Sequence, residues 1–218
     1  GLAASGSGNI AAFTAVNTGT SPVVATITVT PTFTNGSVSC AGPAKTFTIT
    51  VNPTGQVNQP ANQTLCNGET TTLVTFSTTN TGGTTTYAWT NSATSIGLAA
   101  SGSGNIAAFT AVNTGTSAVV ATITVTPTFT NGAVSCAGPA KTFTITVNPD
   151  AAAPLVTYIP PTCTQTTFSV QVTNPQVGST YKLTQLDGNI VTLPASGGYV
   201  SGALIFTGLH IGQGYSII

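Results

Sequence analysis

Residues 1 to 53 recur almost unchanged as residues 97 to 149. Fifty-one of the 53 positions are identical, and the two differences are Pro22 against Ala118 and Ser37 against Ala133. A period of this length constrains the architecture more than any local pattern, because each period must close its own core or close it against a neighbour. The period is 96 residues, so one whole unit runs from residue 54 to residue 149, and Gly1 corresponds to Gly97 near the middle of such a unit. The expected division is therefore residues 1–53 as the C-terminal half of a truncated repeat, 54–149 as a complete repeat, and 150–218 as a different domain. That last segment opens with Ala- and Pro-rich sequence typical of a short semi-rigid linker and stops within an apolar, strand-like stretch, so both ends are expected to lie inside domains.

Composition then selects the kind of unit. Of 218 residues 46 are Thr, 24 Gly and 13 Pro; 40% are hydrophobic and 3% charged, where an ordinary domain carries about a quarter charged. Thr with Val and Ile favours pleated, half-buried surfaces, so the chain reads as all-β. Ordinary hydrophobicity with zero net charge argues against disorder. The cations are Lys45, Lys141 and Lys182, too few for a nucleic-acid surface. No apolar run of about 18 residues exists to span a membrane. Four Cys, no Met and few charges suit an oxidising, extracellular setting.

Period-two alternation places the strands. In VVATITVTPTFTNG, Val119, Ala121, Ile123, Val125 and Phe129 share one face and Thr122, Thr124, Thr126, Thr128 and Thr130 the other. KTFTITVNP repeats the pattern with Phe143, Ile145 and Val147 inward, and Asn131-Gly132 between them signals an antiparallel hairpin. Pro127 predicts an edge position or a bulge. Further strands are expected around residues 73–77, 87–90 and 106–112. Five or six short strands per unit make a β-sandwich, with Trp89, the one Trp, packed between its sheets.

The repeat also pairs the cysteines. Cys40 and Cys136 are equivalent, so Cys66 and Cys136 are the two that belong to the complete unit, and an intradomain disulfide between them is expected, with two buried free thiols as the alternative. Chemistry is otherwise sparse. Between residues 54 and 149 the only acid and base are Glu69 and Lys141, which leaves no carboxylate pair and no imidazole for catalysis. They are expected as an exposed ion pair, the alternative being a lysine–asparagine isopeptide bond assisted by the acid. The absence of Cys/His clusters argues against a metal site, and no cofactor is implied. His210, with Asp187 as its nearest acid in sequence, reads as a loop residue, and Tyr215 as a structural tyrosine corner. A carbohydrate-binding β-sandwich module is the alternative reading, with Tyr87, Tyr158 or Tyr199 as its platform.

The CNGETTTLVTFSTT start, the YAWTNSATSIGLAASGSGNIAAFTAVN middle and the VVATITVTPTFTNGAVSCAGPAKTFTITVNP end resemble the PKD-like repeats of giant Bacteroidota cell-surface adhesins. Residues 150–218 are similar, more weakly, to the Ig-like modules of such proteins. The resemblance implies tandem Ig-like/PKD-like β-sandwich domains in an extended array, forming structural stalk repeats of a secreted filamentous adhesin that serves surface adhesion and gliding motility. It further implies export by type IX secretion, a cell-surface location, and as partners neighbouring repeats, the outer-membrane gliding and secretion machinery, and external surfaces or polysaccharides.

Overall fold

The alternating Thr and apolar residues do form strands, and the described residues are all-β apart from one turn of 3-10 helix, Thr94–Ile96. The computed structural model describes residues 1–164, 166–185, 190–191, 202, 204–210 and 215–217. It divides into two compact units, Gly1–Asn148 and Pro149–Ile218. No helix among the described residues is long and apolar enough to cross a membrane.

In the first copy of the repeated segment, β1 (Val23–Val29), β2 (Thr32–Asn35), β3 (Val38–Ala41) and β4 (Lys45–Val51) make two antiparallel pairs. β1 runs against β4 with Val23 opposite Val51, and β2 runs against β3 with Asn35 opposite Val38. The chain from residue 54 to Asn148 adds β5 (Gln63–Cys66), β6 (Thr84–Asn91), β7 (Ser101–Ser103), β8 (Val119–Asn131), β9 (Val134–Ala137) and β10 (Lys141–Asn148). These form one six-stranded sheet of order β5-β10-β8-β6-β7, with β9 paired to the far half of β8. The Asn131-Gly132 turn leads into β9, and both β9 and β10 then return antiparallel along β8. β5 joins β10 in parallel.

Pro127 lies in the central strand β8, where it faces Tyr87 of β6. Its missing N–H costs no ladder bond, because the partner on that side changes there from β10 to β9 and residues 138–140 bulge past it, with the Gly138 N–H returning to the Pro127 carbonyl at 2.9 Å. The bulge is as expected; the edge position is not.

Side chains on the inner face of β8 and β10 are fully or almost fully buried, among them Ile123, Val125, Phe129, Phe143, Ile145 and Val147. The layer over them is not a regular sheet. Residues 73–77 and 106–112 were expected as strands, but they cross the core with only two isolated bridges, Thr70 to Thr110 and Val74 to Ile106. Side chains occupy the ladder positions instead: Phe76 N–H donates to Asn105 Oδ1 at 2.9 Å, and Phe109 N–H to Thr71 Oγ1 at 3.0 Å. Val74, Phe76, Ile106 and Ala111 of this layer are buried against the sheet. Trp89 belongs to the same core, and its ring lies over Gly102 of β7, where an added Cβ would come within 2.3 Å of Cζ2. Only glycine fits opposite that indole.

Among the described residues the second unit holds two three-stranded sheets. One orders β11 (Val156–Ile159), β12 (Thr167–Val172) and β15 (Leu204–His210); the other places β13 (Leu183–Gln185) between β14 (Ile190–Val191) and β16 (Tyr215–Ile217). Val172, Leu183, Phe206 and Leu209 form its core.

The two copies provide a paired test of burial. Phe129 is 0% exposed and its counterpart Phe33 is 75% exposed. Phe129→Ala should cost about 3–5 kcal/mol, the range for emptying a buried Phe site. Phe33→Ala should stay within about 0.5 kcal/mol, as surface changes do. Chemical denaturation of the two variants checks this, and equal costs would contradict the burial difference.

Candidate functional site: the junction between the two copies

Residues 52–62 read in the sequence as a linker, yet the side chains of Asn52, Gln56, Asn58, Gln59 and Asn62 are all engaged in hydrogen bonds. Pro53 and Val57 are buried. Gly55 N–H donates to the Cys136 carbonyl at 3.2 Å, and Gly55 and Gly138 approach so closely that a Cβ on Gly138 would overlap the Gly55 carbonyl. Asn58 N–H donates to Ser77 O at 2.8 Å, Gln59 Nε2 to Thr142 O at 2.7 Å, and Thr144 N–H to Asn62 Oδ1 at 2.8 Å. The segment is thus fastened along the edge of β10, and it carries the first copy to the second with little slack.

Asparagines make the contacts between the copies. Asn17 Nδ2 donates to Ser21 O at 2.9 Å and to Val51 O at 2.7 Å, holding the loop before β1 against the end of β4. Its counterpart Asn113 repeats this clamp on Ser117 O and Val147 O, at 2.9 and 2.7 Å. The loop that Asn17 fixes presents the Thr20 carbonyl, which accepts Thr81 N–H at 2.8 Å and Asn80 Nδ2 at 3.3 Å. Asn80 also binds the linker on both sides: its Nδ2 donates to Thr54 O at 3.2 Å, and its Oδ1 accepts Gln56 N–H at 2.6 Å. Asn131 Nδ2 donates to Asn52 Oδ1 at 3.0 Å. Gly82, at φ +76, sits against Pro22, leaving 2.9 Å between its would-be Cβ and the proline Cδ. Neutral amides and backbone carbonyls carry the whole junction, so screening by salt has little to act on.

The cysteines expected to pair do not meet. All four are free thiols. Cys66 lies beside Asn148 at one end of the sheet and Cys136 beside Phe129 at the other. Val119, opposite Val147, is ten residues along β8 from Phe129, about 33 Å of strand, whereas a disulfide needs Cα atoms within about 7 Å. The same register separates Glu69 from Lys141. The Glu69 carboxylate accepts the Cys66 N–H at 2.7 Å within the CNGE turn, while Lys141 begins β10 at the opposite end, so neither the ion pair nor the isopeptide geometry arises. Repeat arithmetic placed both residues in one domain but carried no information on which end of the sheet each would reach.

Trp89 is buried in the core as described. The Tyr215 hydroxyl, at the start of β16, accepts the N–H of His210 at the end of β15 at 3.1 Å. Asp187 and Tyr199 lie outside the described residues. Tyr87 is half-buried, and its ring packs on Phe76 with centroids 5.4 Å apart. Burial pushes its hydroxyl above the ordinary tyrosine range, while a hydrogen bond with Thr78 pulls the other way. Tyr158 is exposed and leans on Phe168 at 5.2 Å. Among the described residues no three His, Cys, Asp or Glu side chains converge as metal ligands. The junction amides were passed over in the sequence, although the Asn-rich run from 52 to 62 and the Asn67, Asn80 and Asn113 positions were the available signal. The chain matches no protein-family model and no curated protein.

Two measurements check this site. Alkylation of the native protein followed by non-reducing peptide mapping should label Cys66 and Cys136 separately; a linked peptide would contradict the register. Asn80→Ala should cost about 1–3 kcal/mol by stranding partly buried partners. It should also speed amide exchange at Gln56 and Thr81, whereas unchanged exchange there would show that Asn80 does not hold the junction.

Proposed function

We propose that this chain is a stalk segment of a secreted, filamentous cell-surface adhesin, built from tandem PKD-like β-sandwich repeats followed by an Ig-like module. The observation that carries the reading is the junction: consecutive copies are joined by a fastened segment and direct amide bonds, with no free linker between them. A spacer needs that property, since reach grows in proportion to copy number only if the joints resist bending. A strand such as β8, with 13 residues, spans about 43 Å, so each added copy lengthens such a filament by tens of ångströms without new chemistry. The near-absence of charge and the Thr-covered outer face of the sheet suit a surface that meets many materials weakly. By resemblance, the partners are neighbouring repeats, the outer-membrane machinery of type IX secretion and gliding, and external surfaces or polysaccharides.

Recombinant arrays of two, four and six copies of residues 54–149 test the reading, because joining Pro149 to Thr54 recreates the Pro53-Thr54 junction. Small-angle scattering should give a maximum dimension that rises linearly with copy number. Growth close to the square root of copy number, the behaviour of a flexible chain, would count against a stalk.

A further inference from the structure

Three Asn-Gly pairs occur in the chain, Asn35-Gly36, Asn67-Gly68 and Asn131-Gly132. Asn followed by Gly is prone to a reaction of its own, because with no Cβ in the way the glycine nitrogen can reach the asparagine side-chain carbonyl carbon and displace ammonia. The reaction runs only where that nitrogen is free and the local backbone can bend, and on this count the structure separates the pairs.

Asn67-Gly68 is held. Gly68 N–H donates to the Ala111 carbonyl at 2.8 Å, Asn67 N–H to the Asn148 carbonyl at 2.9 Å, and Asn67 Oδ1 accepts the Asn113 N–H at 2.8 Å. Asn131-Gly132 stands at the open turn between β8 and β9. Gly132 takes φ +59, a Cβ there would meet nothing within 4 Å, and no backbone carbonyl among the described residues accepts its N–H. Asn131 is half-buried, and its Nδ2 is the atom that donates to Asn52 Oδ1 at 3.0 Å across the junction. The amide nitrogen that ties one copy to the next is therefore also the leaving group.

We propose that Asn131-Gly132 is a self-modification site built into the joint, converting through a succinimide to isoaspartate and aspartate and thereby releasing Asn52. The Gly132 nitrogen gives its proton to solvent base and bonds to Asn131 Cγ, the Cγ–Nδ2 bond breaks, and Nδ2 leaves as ammonia. Water then opens the ring, giving aspartate if the bond to Cγ is cut and isoaspartate if the bond to the backbone carbonyl carbon is cut. Either product replaces the donor facing Asn52 Oδ1 with a carboxylate. Isoaspartate also lengthens the backbone of a tight turn in which Asn131 pairs with Val134. A joint of neutral amides acquires a negative charge in a chain whose formal net charge is zero, and this holds whatever the joint serves.

The test ages the full chain in warm, mildly alkaline buffer and follows each pair by peptide mapping, with isoaspartate methyltransferase labelling to score the ring-opened product. Asn35-Gly36 is the internal clock, since it has the same turn register, Gly36 at φ +57 and an exposed Asn35. Asn131 should convert within about tenfold of the Asn35 rate, the factor that one side-chain hydrogen bond is worth. Asn67 should stay intact over that interval. Exchange of the Gly55 N–H, which is bound to the Cys136 carbonyl at the joint, should quicken in step with conversion at Asn131. In Asn131→Gln, whose longer side chain closes the ring far more slowly, ageing should leave Gly55 exchange where it began. Asn131 still intact after Asn35 has fully converted would overturn the proposal, because the bond to Asn52 would then protect the amide. Conversion without any change at Gly55 would also overturn it, as would conversion of Asn67 at the Asn131 rate, or quickened Gly55 exchange in aged Asn131→Gln.

Discussion

The pairing of β6 with β8 is the interaction on which the rest of the larger unit depends. Eight residues of β6 run in register with Ile123–Thr130. That ladder places Trp89 over the core, gives β7 an edge to join, and carries β8 straight through Pro127. Without it, in the first copy, the same sequence breaks into β1 and β2 around Thr30 and Pro31, and residues 5–7, the counterparts of β7, form no strand. Proline removes one donor but not the acceptor, so a strand survives it when a neighbour on the other side supplies the remaining bonds.

With so few charges, the chain relies on amides for specificity. Asn17, Asn113 and Asn80 each use a side chain that donates and accepts at once, which a lysine or a carboxylate does not do, and Asn131 adds a donated bond to Asn52. Such bonds stabilise modestly one by one, and leaving their backbone partners unmet costs more than making them gains. Several together at one joint make bending unfavourable at any salt concentration. The large apolar cluster lies within the repeat and the amides lie at its ends, so folding of the repeat and stiffness of the joint rest on separate residues.

Much of the larger unit was legible in the residues themselves. Alternation in VVATITVTPTFTNG and KTFTITVNP separated inward from outward positions, and Asn131-Gly132 marked a turn. Trp89 stood out as a core residue because nothing else in the unit could fill comparable volume. What was not legible was long-range. The parallel placement of β5 brings together residues about 80 positions apart, and no local pattern encodes that. It is also what separates Cys66 from Cys136. Residues 73–77 and 106–112 alternate like strands, but Thr71 and Asn105 offer side-chain acceptors that replace the ladder, a choice that depends on what lies opposite. The linker looked flexible because its bonds go to residues such as Thr142 and Thr144, which are distant in sequence.

Two nearly identical segments in one molecule separate the contributions of sequence and tertiary structure. Sequence alone set what both copies share: the β1–β4 and β8–β10 register, the Asn-Gly hairpins, and the Asn17 and Asn113 clamps, all made between residues within about 35 positions of one another and of the same identity in each copy. Tertiary structure decided what differs: whether the strand continues through its proline, whether Ser-Gly-Ser becomes a strand, and whether Phe33 or Phe129 leaves water. Local pairing is enclosed in the segment that forms it. Burial needs a second surface, and in the second copy residues 54–96 supply it.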